Sequence, residues 1–145
     1  MQVFTIGYSK RSAPEFFGAL RRAGIRRCVD VRVGNTSQLA GFTKRGDLPF
    51  FLREICGAEY IAEPLLSPTR DLVDAYRKGR ASWQEYERRF LQLLAERRVE
   101  LELDPRLFDV PTVLLCVENT AEHCHRRLVF QYLADAWGEM LVTHL

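Results

Sequence analysis

The chain reads Thr112-Val-Leu-Leu-Cys-Val117 in its last third, an apolar run that follows Pro111 and ends before Glu118. A continuous apolar run of this length is typical of a strand that is covered on both faces. Such strands lie inside parallel sheets, because helices pack on both sides of those sheets. The run therefore predicts an α/β fold with this segment as a central parallel strand.

Two further strand-like segments lie near the N-terminus. Val3-Phe-Thr-Ile6 runs into Gly7, and Cys28-Val-Asp-Val31 follows after a helical stretch. That stretch begins at Ser12, which forms a capping box with Glu15. A strand, a helix and a strand within about 30 residues favour a parallel pair that is joined by a right-handed crossover.

The rest of the chain alternates between helical and extended patterns. Further helices are predicted to begin at Asp47, at 67–69, at Ser82 and at Asn119, and brief strands at 60–61 and 141–144. Residues 32–46 are predicted as a long loop, and long loops in compact domains are often functional. Together the patterns predict a single domain over residues 1–145. Its fold is expected to be a three-layer α/β arrangement of the Rossmann-like or flavodoxin-like kind, with a mainly parallel sheet and helices on both faces.

Composition limits the classes of function. The 145 residues are 47% hydrophobic and 28% charged, which is ordinary for a soluble globular protein. The net charge is only +2, whereas dedicated nucleic-acid binders usually carry a strong basic excess, so nucleic acid is not the favoured partner. No stretch reaches the roughly 20 apolar residues of a membrane span, and no secretory signal pattern is present. The four cysteines form no disulfide framework, so a cytoplasmic location is expected.

Functional residues are expected where the parallel strands end, because open parallel sheets bind ligands beyond the carboxyl ends of their strands. Polar residues follow three of the predicted strands. They are Gly7, Tyr8 and Ser9 after the first strand, Asp30 and Arg32 at the second, and Glu118 after the apolar run. If these strands are neighbours, the three groups meet in one crevice.

The densest group of reactive side chains lies between positions 116 and 127. Helix N-termini attract anions and lower the pKa of thiols, and a helix is predicted to begin in this segment. Cys124 is therefore predicted to be a thiolate nucleophile, with His125 or His123 as its base. Arg126 is predicted to bind a phosphate or carboxylate group. Asp30 and Glu118 complete the predicted catalytic set as acid–base or orienting groups.

Structural roles explain the same residues equally well. Cys124 and His125 fit the buried face of a helix, and His123 fits a solvent-exposed first turn. Asp30 at a strand end fits the cap of a loop. In addition, Arg32 and Arg126 fit ion pairs with Asp30 and Glu118, respectively.

Known metal and nucleotide motifs are absent from the sequence. A metal site would use Cys116, His123, Cys124 and His125, but structural zinc sites usually have a second, distant pair of ligands and none is present here. A second possible metal site would combine His125, Glu118 and Asp30. No GxGxxG or Walker sequence occurs. The first arginine after Cys116 comes ten positions later, unlike the compact loops of tyrosine phosphatases and rhodaneses. We therefore predict no metal ligands and name no cofactor.

Six segments spread over nearly the whole chain carry a family resemblance. They are Thr5-Ile-Gly-Tyr-Ser9, Val29-Asp-Val-Arg32 with Ser37 and Phe42, Leu65-Leu-Ser-Pro-Thr69, Leu115-Cys-Val-Glu118, Cys124-His-Arg126 and Val142-Thr-His144. In this order they resemble the family known as domain of unknown function 488. Its members usually have His where Tyr8 stands, and often Pro-x-Ser-Arg where this chain reads Asn35-Thr-Ser37-Gln38. The resemblance implies a prokaryotic soluble protein with no assigned reaction. It marks the cluster from Glu118 to Arg126 as the characteristic one.

The leading hypothesis is a small enzyme or sensor that binds a phosphorylated or otherwise anionic small molecule, nucleotides included. The predicted ligand-binding residues are Gly7, Tyr8, Ser9, Arg32, Ser37 and Arg126, together with N–H groups near residue 120. One alternative is a non-catalytic nucleic-acid or protein interaction module that uses the 32–46 loop with Lys44 and Arg45. A metal-dependent hydrolase is the other. The sequence leaves the reaction and the oligomeric state open.

Overall fold

The computed structural model describes residues 1–33, 38–118 and 122–145. The strands are β1 (Gln2–Gly7), β2 (Arg27–Asp30), β3 (Glu59–Ala62), β4 (Thr112–Cys116) and β5 (Leu141–His144). They form one sheet in the order β3-β2-β4-β1-β5. Every pairing between these strands is parallel, which confirms the mainly parallel sheet expected from the sequence.

Six helices are present in the described residues. They are α1 (Ala13–Arg22), α2 (Leu48–Phe51), α3 (Arg70–Arg77), α4 (Trp83–Glu96), α5 (Val99–Glu102) and α6 (His125–Trp137). The prediction of a loop over residues 32–46 is partly wrong, because Gln38–Thr43 forms 3-10 turns. α5 was not expected, since a four-residue helix is too short to show a hydrophobic period. None of these helices combines the length and the apolar character needed to cross a membrane.

β4 occupies the centre of the sheet, and all five of its residues are buried. This confirms the central strand predicted from the apolar run. β1 and β2 both pair with β4, so the predicted direct pairing of the first two strands is wrong. The strand whose residues are all buried takes the central position, where strands cover both of its edges and helices cover both of its faces.

Alternate residues of β4 pack on opposite faces of the sheet, as strand geometry requires. Val113 and Leu115 join a cluster with Phe16 of α1 on one face. Leu114 joins a second cluster with Phe90 of α4 on the other face. α1 and α2 cover the first face and α3 to α6 cover the second, which confirms the three-layer architecture.

Helix starts follow the sequence signals at α1 but not at α6. The N–H of Ser12 donates to Glu15 Oε1 (3.2 Å) and the N–H of Glu15 donates to Ser12 Oγ (3.3 Å), which confirms the capping box. α6 begins at His125, not at Asn119, which lies outside the described residues. The extended backbone of Cys124 (φ −139°, ψ 142°) ends the preceding loop and makes this residue the N-cap.

Candidate functional site

The carboxyl ends of β1, β2 and β4 lie side by side at one edge of the sheet. Gly7 is paired with Cys116, and Asp30 is paired with Leu115 one residue earlier in β4. Polar residues that are far apart in sequence therefore meet at this edge. The structure brings together the strand ends that the sequence analysis expected to converge.

The chain after β1 runs against the chain after β4. The N–H groups of Tyr8 and Ser9 donate to two carbonyl groups at the end of β4, at 3.3 and 3.0 Å. A Cβ atom on Gly7 would lie only 1.4 Å from the carbonyl oxygen of Glu118. The absence of a side chain at position 7 is thus what allows the β4–α6 loop to cross the end of β1.

Two buried thiols and an imidazole form a compact cluster at the end of β4. Cys116 Sγ and Cys124 Sγ are 2.7 Å apart, and the Cys124 thiol donates to Cys116. Both cysteines are free. His125 Nδ1 lies 3.3 Å from Cys116 Sγ, while His125 Nε2 lies 2.7 Å from the carbonyl oxygen of Val31. A carbonyl oxygen can only accept, so Nε2 carries a proton, and in the neutral ring Nδ1 presents its lone pair to the sulfur.

The two thiols have opposite pKa shifts. Burial disfavours the Cys116 thiolate, but hydrogen bonds from the Cys124 thiol and from the N–H groups of Val117 and Glu118, with the charge of Arg126, lower the pKa of Cys116. The hydrogen bond that Cys124 donates to Cys116, together with burial, raises the pKa of Cys124. Cys116 is therefore the more acidic thiol of the pair.

Arg126 is the largest fully buried side chain, with 1% of its surface exposed. Its Nε and Nη1 atoms have no hydrogen-bond partner among the described residues. Nη1 lies at the end of β1, 2.8 Å from where a Gly7 Cβ would stand. The ion pair with Glu118 that the sequence allowed is not formed within the described part of the chain.

Asp30 and Arg32 form a buried ion pair at the end of β2. Arg32 donates from Nε to Asp30 Oδ1 and from Nη2 to Asp30 Oδ2, both at 2.8 Å. Thr43 accepts two further bonds from the guanidinium, and Tyr60 donates to Asp30 Oδ2 at 2.5 Å. The guanidinium also lies 5.3 Å from the centre of the Tyr8 ring. These contacts are the ones expected if Asp30 and Arg32 form a structural ion pair. The predicted acid–base role of Asp30 and the predicted ligand-binding role of Arg32 stay predictions.

A cavity of about 60 Å³ opens beside the thiols. Cys116, Cys124 and His125 line it, together with the aromatic rings of Tyr76 and Trp83. His123 is exposed and stacks on Trp83 with ring centres 5.0 Å apart, so it belongs to this aromatic wall and not to a helical turn. Glu118 also lines the cavity. The lining of the cavity thus combines thiols with aromatic rings.

The sequence matches one protein family over most of its length. The family is described as "Domain of unknown function DUF488", and its model matches residues 12–133 of the 145. The chain belongs to the DUF488 family. No curated protein and no solved structure matches it.

The DUF488 match includes most of the residues at this site. The range 12–133 contains β2, β4 and the start of α6, hence both thiols, His125 and Arg126. β1 and β5 lie outside it. Two predicted features, Ser37 and the N–H groups near residue 120, lie outside the described residues.

Cys116 belongs to the candidate site of this DUF488 chain, but it is not among the catalytic and ligand-binding residues predicted from the sequence. Cys116 ends an apolar run, and that position by itself indicates a small core residue. The available signal was its position, since the last residue of a central parallel strand faces the edge where ligands bind. Its contact with Cys124 depends on the course of the intervening loop, which residue spacing does not define.

Acid should weaken this DUF488 domain through Asp30. Burial by itself would raise the pKa of Asp30, but the hydrogen bonds and charge of Arg32, with the bond from Tyr60, lower it. The folded chain therefore binds the proton less well than the unfolded chain, whose aspartates titrate near pH 4. The pair's contribution should be complete above about pH 4 and be lost as the pH falls through the folded-state pKa.

Urea unfolding at a series of pH values from neutral to strongly acidic measures this loss. The free energy of unfolding should fall with acid more steeply in the wild type than in an Asp30→Asn variant, which has no carboxyl group to titrate at this position. Equal slopes for the two proteins would show that Asp30 has an ordinary pKa in the folded chain.

Proposed function

We propose that this protein binds a small anionic molecule, of the class of phosphorylated metabolites or nucleotides, at the start of α6. The observation that carries the proposal is the buried guanidinium of Arg126, whose Nε and Nη1 lack partners in the described residues. A buried charge without a partner is costly, and proteins keep one where a ligand supplies the counter-charge. Phosphate and carboxylate groups match the planar donor pattern of arginine.

The charge around the start of α6 supports the same conclusion. The first turn contains Arg126 and Arg127 and no acidic residue, although helix N-termini favour negative charge. Within the described residues, the N-cap Cys124 makes no side-chain capping bond. Arg11 is close enough to lower the pKa of Arg126, after the larger effect of burial, and its own Nε lacks a partner in the described chain. An anion here would accept hydrogen bonds and offset this positive charge.

Reactive side chains lie next to the proposed anion site. Cys124 and His125 directly precede Arg126 in the chain and line the cavity, whereas Arg126 itself lies at Gly7 and is not among the cavity's lining residues. This arrangement favours an enzyme whose substrate is anchored by its anionic group.

A thermal-shift series at low salt tests the proposal with phosphate, sulfate, sugar phosphates and nucleotides. A ligand at about 100 times its Kd should stabilise the protein by roughly 2.7 kcal/mol and raise its Tm by several degrees. An Arg126→Met variant should lose this shift. Its own Tm should be equal to or higher than that of the wild type, because methionine fills similar space without a buried charge.

Arg127→Met is the matched control. Arg127 is the next residue in the same helical turn, but it is partly exposed and donates to Gln131, so the shift should persist. Absence of a shift with every anion, or equal loss in both variants, would overturn the proposal. A large fall in the Tm of Arg126→Met with intact binding would make Arg126 a structural residue instead.

A further inference from the structure

We propose that Cys116, Cys124 and His125 form a binding site for one Zn²⁺ ion, with the fourth coordination position facing the cavity. One thiol sulfur from each cysteine and one ring nitrogen of His125 all lie within 4.8 Å of one another, and all three residues are buried. Sulfur and imidazole nitrogen are the atoms that zinc prefers, and no carboxylate takes part that would favour magnesium or calcium. This site is separate from the proposed anion site and does not depend on it.

The orientation of His125 is the second observation. Metal-binding histidines usually donate their other ring N–H to a carbonyl or carboxylate group, which fixes the tautomer. His125 Nε2 has this bond to the Val31 carbonyl at 2.7 Å. This bond selects the tautomer of the neutral ring in which Nδ1 faces the sulfurs as an acceptor, 3.3 Å from Cys116 Sγ. A histidine that served only as packing would not require a lone pair aimed at a thiol.

The surroundings of Cys116 suit a metal-bound thiolate. The N–H groups of Val117 and Glu118 donate to its sulfur, and the charge of Arg126 acts on both thiols. Hydrogen bonds of this kind are the outer contacts that orient metal ligands. Two thiolates and a neutral imidazole around Zn²⁺ give a site of zero net charge, so burial costs little. Each thiol that is protonated in the metal-free protein releases its proton to solvent on binding.

Zinc binding requires a small change in the thiols. Two sulfurs at about 2.3 Å from one tetrahedral ion lie roughly 3.8 Å apart, so the present separation of 2.7 Å must widen by about 1 Å. Cys124 stands at the boundary between loop and helix, where rotation of its side chain supplies this movement. Three protein ligands with an open fourth position are typical of catalytic rather than structural zinc. All three ligands line the cavity, so the open position faces it.

The test is a Zn²⁺ titration of metal-free protein in competition with a chromophoric chelator, under argon with a phosphine reductant to keep the cysteines reduced. We expect one zinc per chain. Cys124→Ser and His125→Gln should each weaken binding by more than the roughly 10–100-fold that is typical when an outer contact is lost. Co²⁺ in place of zinc should give tetrahedral visible absorption and a thiolate charge-transfer band in the wild type, and Cys124→Ser should reduce that band.

Two control variants separate this site from unspecific binding. Cys56→Ser removes a half-buried thiol on the other face of the sheet, and His123→Gln removes the exposed neighbouring imidazole. Both should bind zinc as the wild type does. Substoichiometric binding by the reduced, folded wild type, or equal weakening in the controls, would overturn the site. Arg126→Met loses a nearby charge but no ligand, so it should still bind one zinc per chain, with lower affinity, while it loses the anion-dependent shift; failure of anion binding and failure of zinc binding therefore give different results.

Discussion

Replacing Asp30 with alanine should lower the free energy of unfolding by about 3–5 kcal/mol, which is the cost of leaving a buried charge unpaired. The side chains of Asp30 and Arg32 are at most 1% exposed, so water cannot solvate the guanidinium that remains. Tyr60 would also lose the acceptor of its hydroxyl bond. Urea unfolding near pH 7 measures the change.

The chain contains a matched control for this experiment. Asp104 and Arg106 have the same spacing, and Nε and Nη2 of Arg106 likewise donate to the carboxylate of Asp104, but both side chains are exposed. Asp104→Ala should therefore change stability little, because exposed ion pairs contribute little. The double change of Asp30→Leu with Arg32→Met should recover much of the loss, since it leaves no buried charge. Equal effects for Asp30→Ala and Asp104→Ala would contradict the argument from burial.

The second large effect is expected for Gly7→Ala. The added methyl group would overlap the carbonyl oxygen of Glu118 and approach Arg126 Nη1 to 2.8 Å. The backbone of the β4–α6 loop must move to make room, and overpacking of this severity should cost about 3 kcal/mol or more. The displaced loop also separates the strand end from Arg126, so we expect the anion-dependent rise in Tm to disappear.

Gly18→Ala serves as the comparison for that variant. Gly18 lies within α1, where the nearest atom to an added Cβ is the flexible end of Arg22 at 3.1 Å. Alanine in a helix interior is favoured over glycine, so this change should raise the free energy of unfolding by roughly 0.5–1 kcal/mol. The two variants are checked by thermal unfolding. A Gly7→Ala protein as stable as the wild type would show that the loop does not cross the strand end so closely.

Local sequence signals predicted elements wherever a segment's own residues determine its state. The apolar run at 112–117 became β4, and Ser12 with Glu15 became the cap of α1. The strand predicted at 141–144 is β5. Local signals gave the wrong helix start where distant contacts determine the structure. Asn119 resembles a helix cap, but α6 begins at His125. The chain after β4 must first pass over Gly7.

The same division holds for the candidate site. The sequence by itself determined the α/β class, the parallel strands and the edge of the sheet where reactive residues accumulate, because hydrophobic period and capping residues act over a few positions. Only the tertiary structure decided that β4 separates β1 from β2, that Cys116 lies beside Cys124, and that Arg32 is paired while Arg126 has no ion-pair partner among the described residues. Those outcomes depend on which strands become neighbours and on how closely a loop approaches a glycine, and no local pattern carries that information.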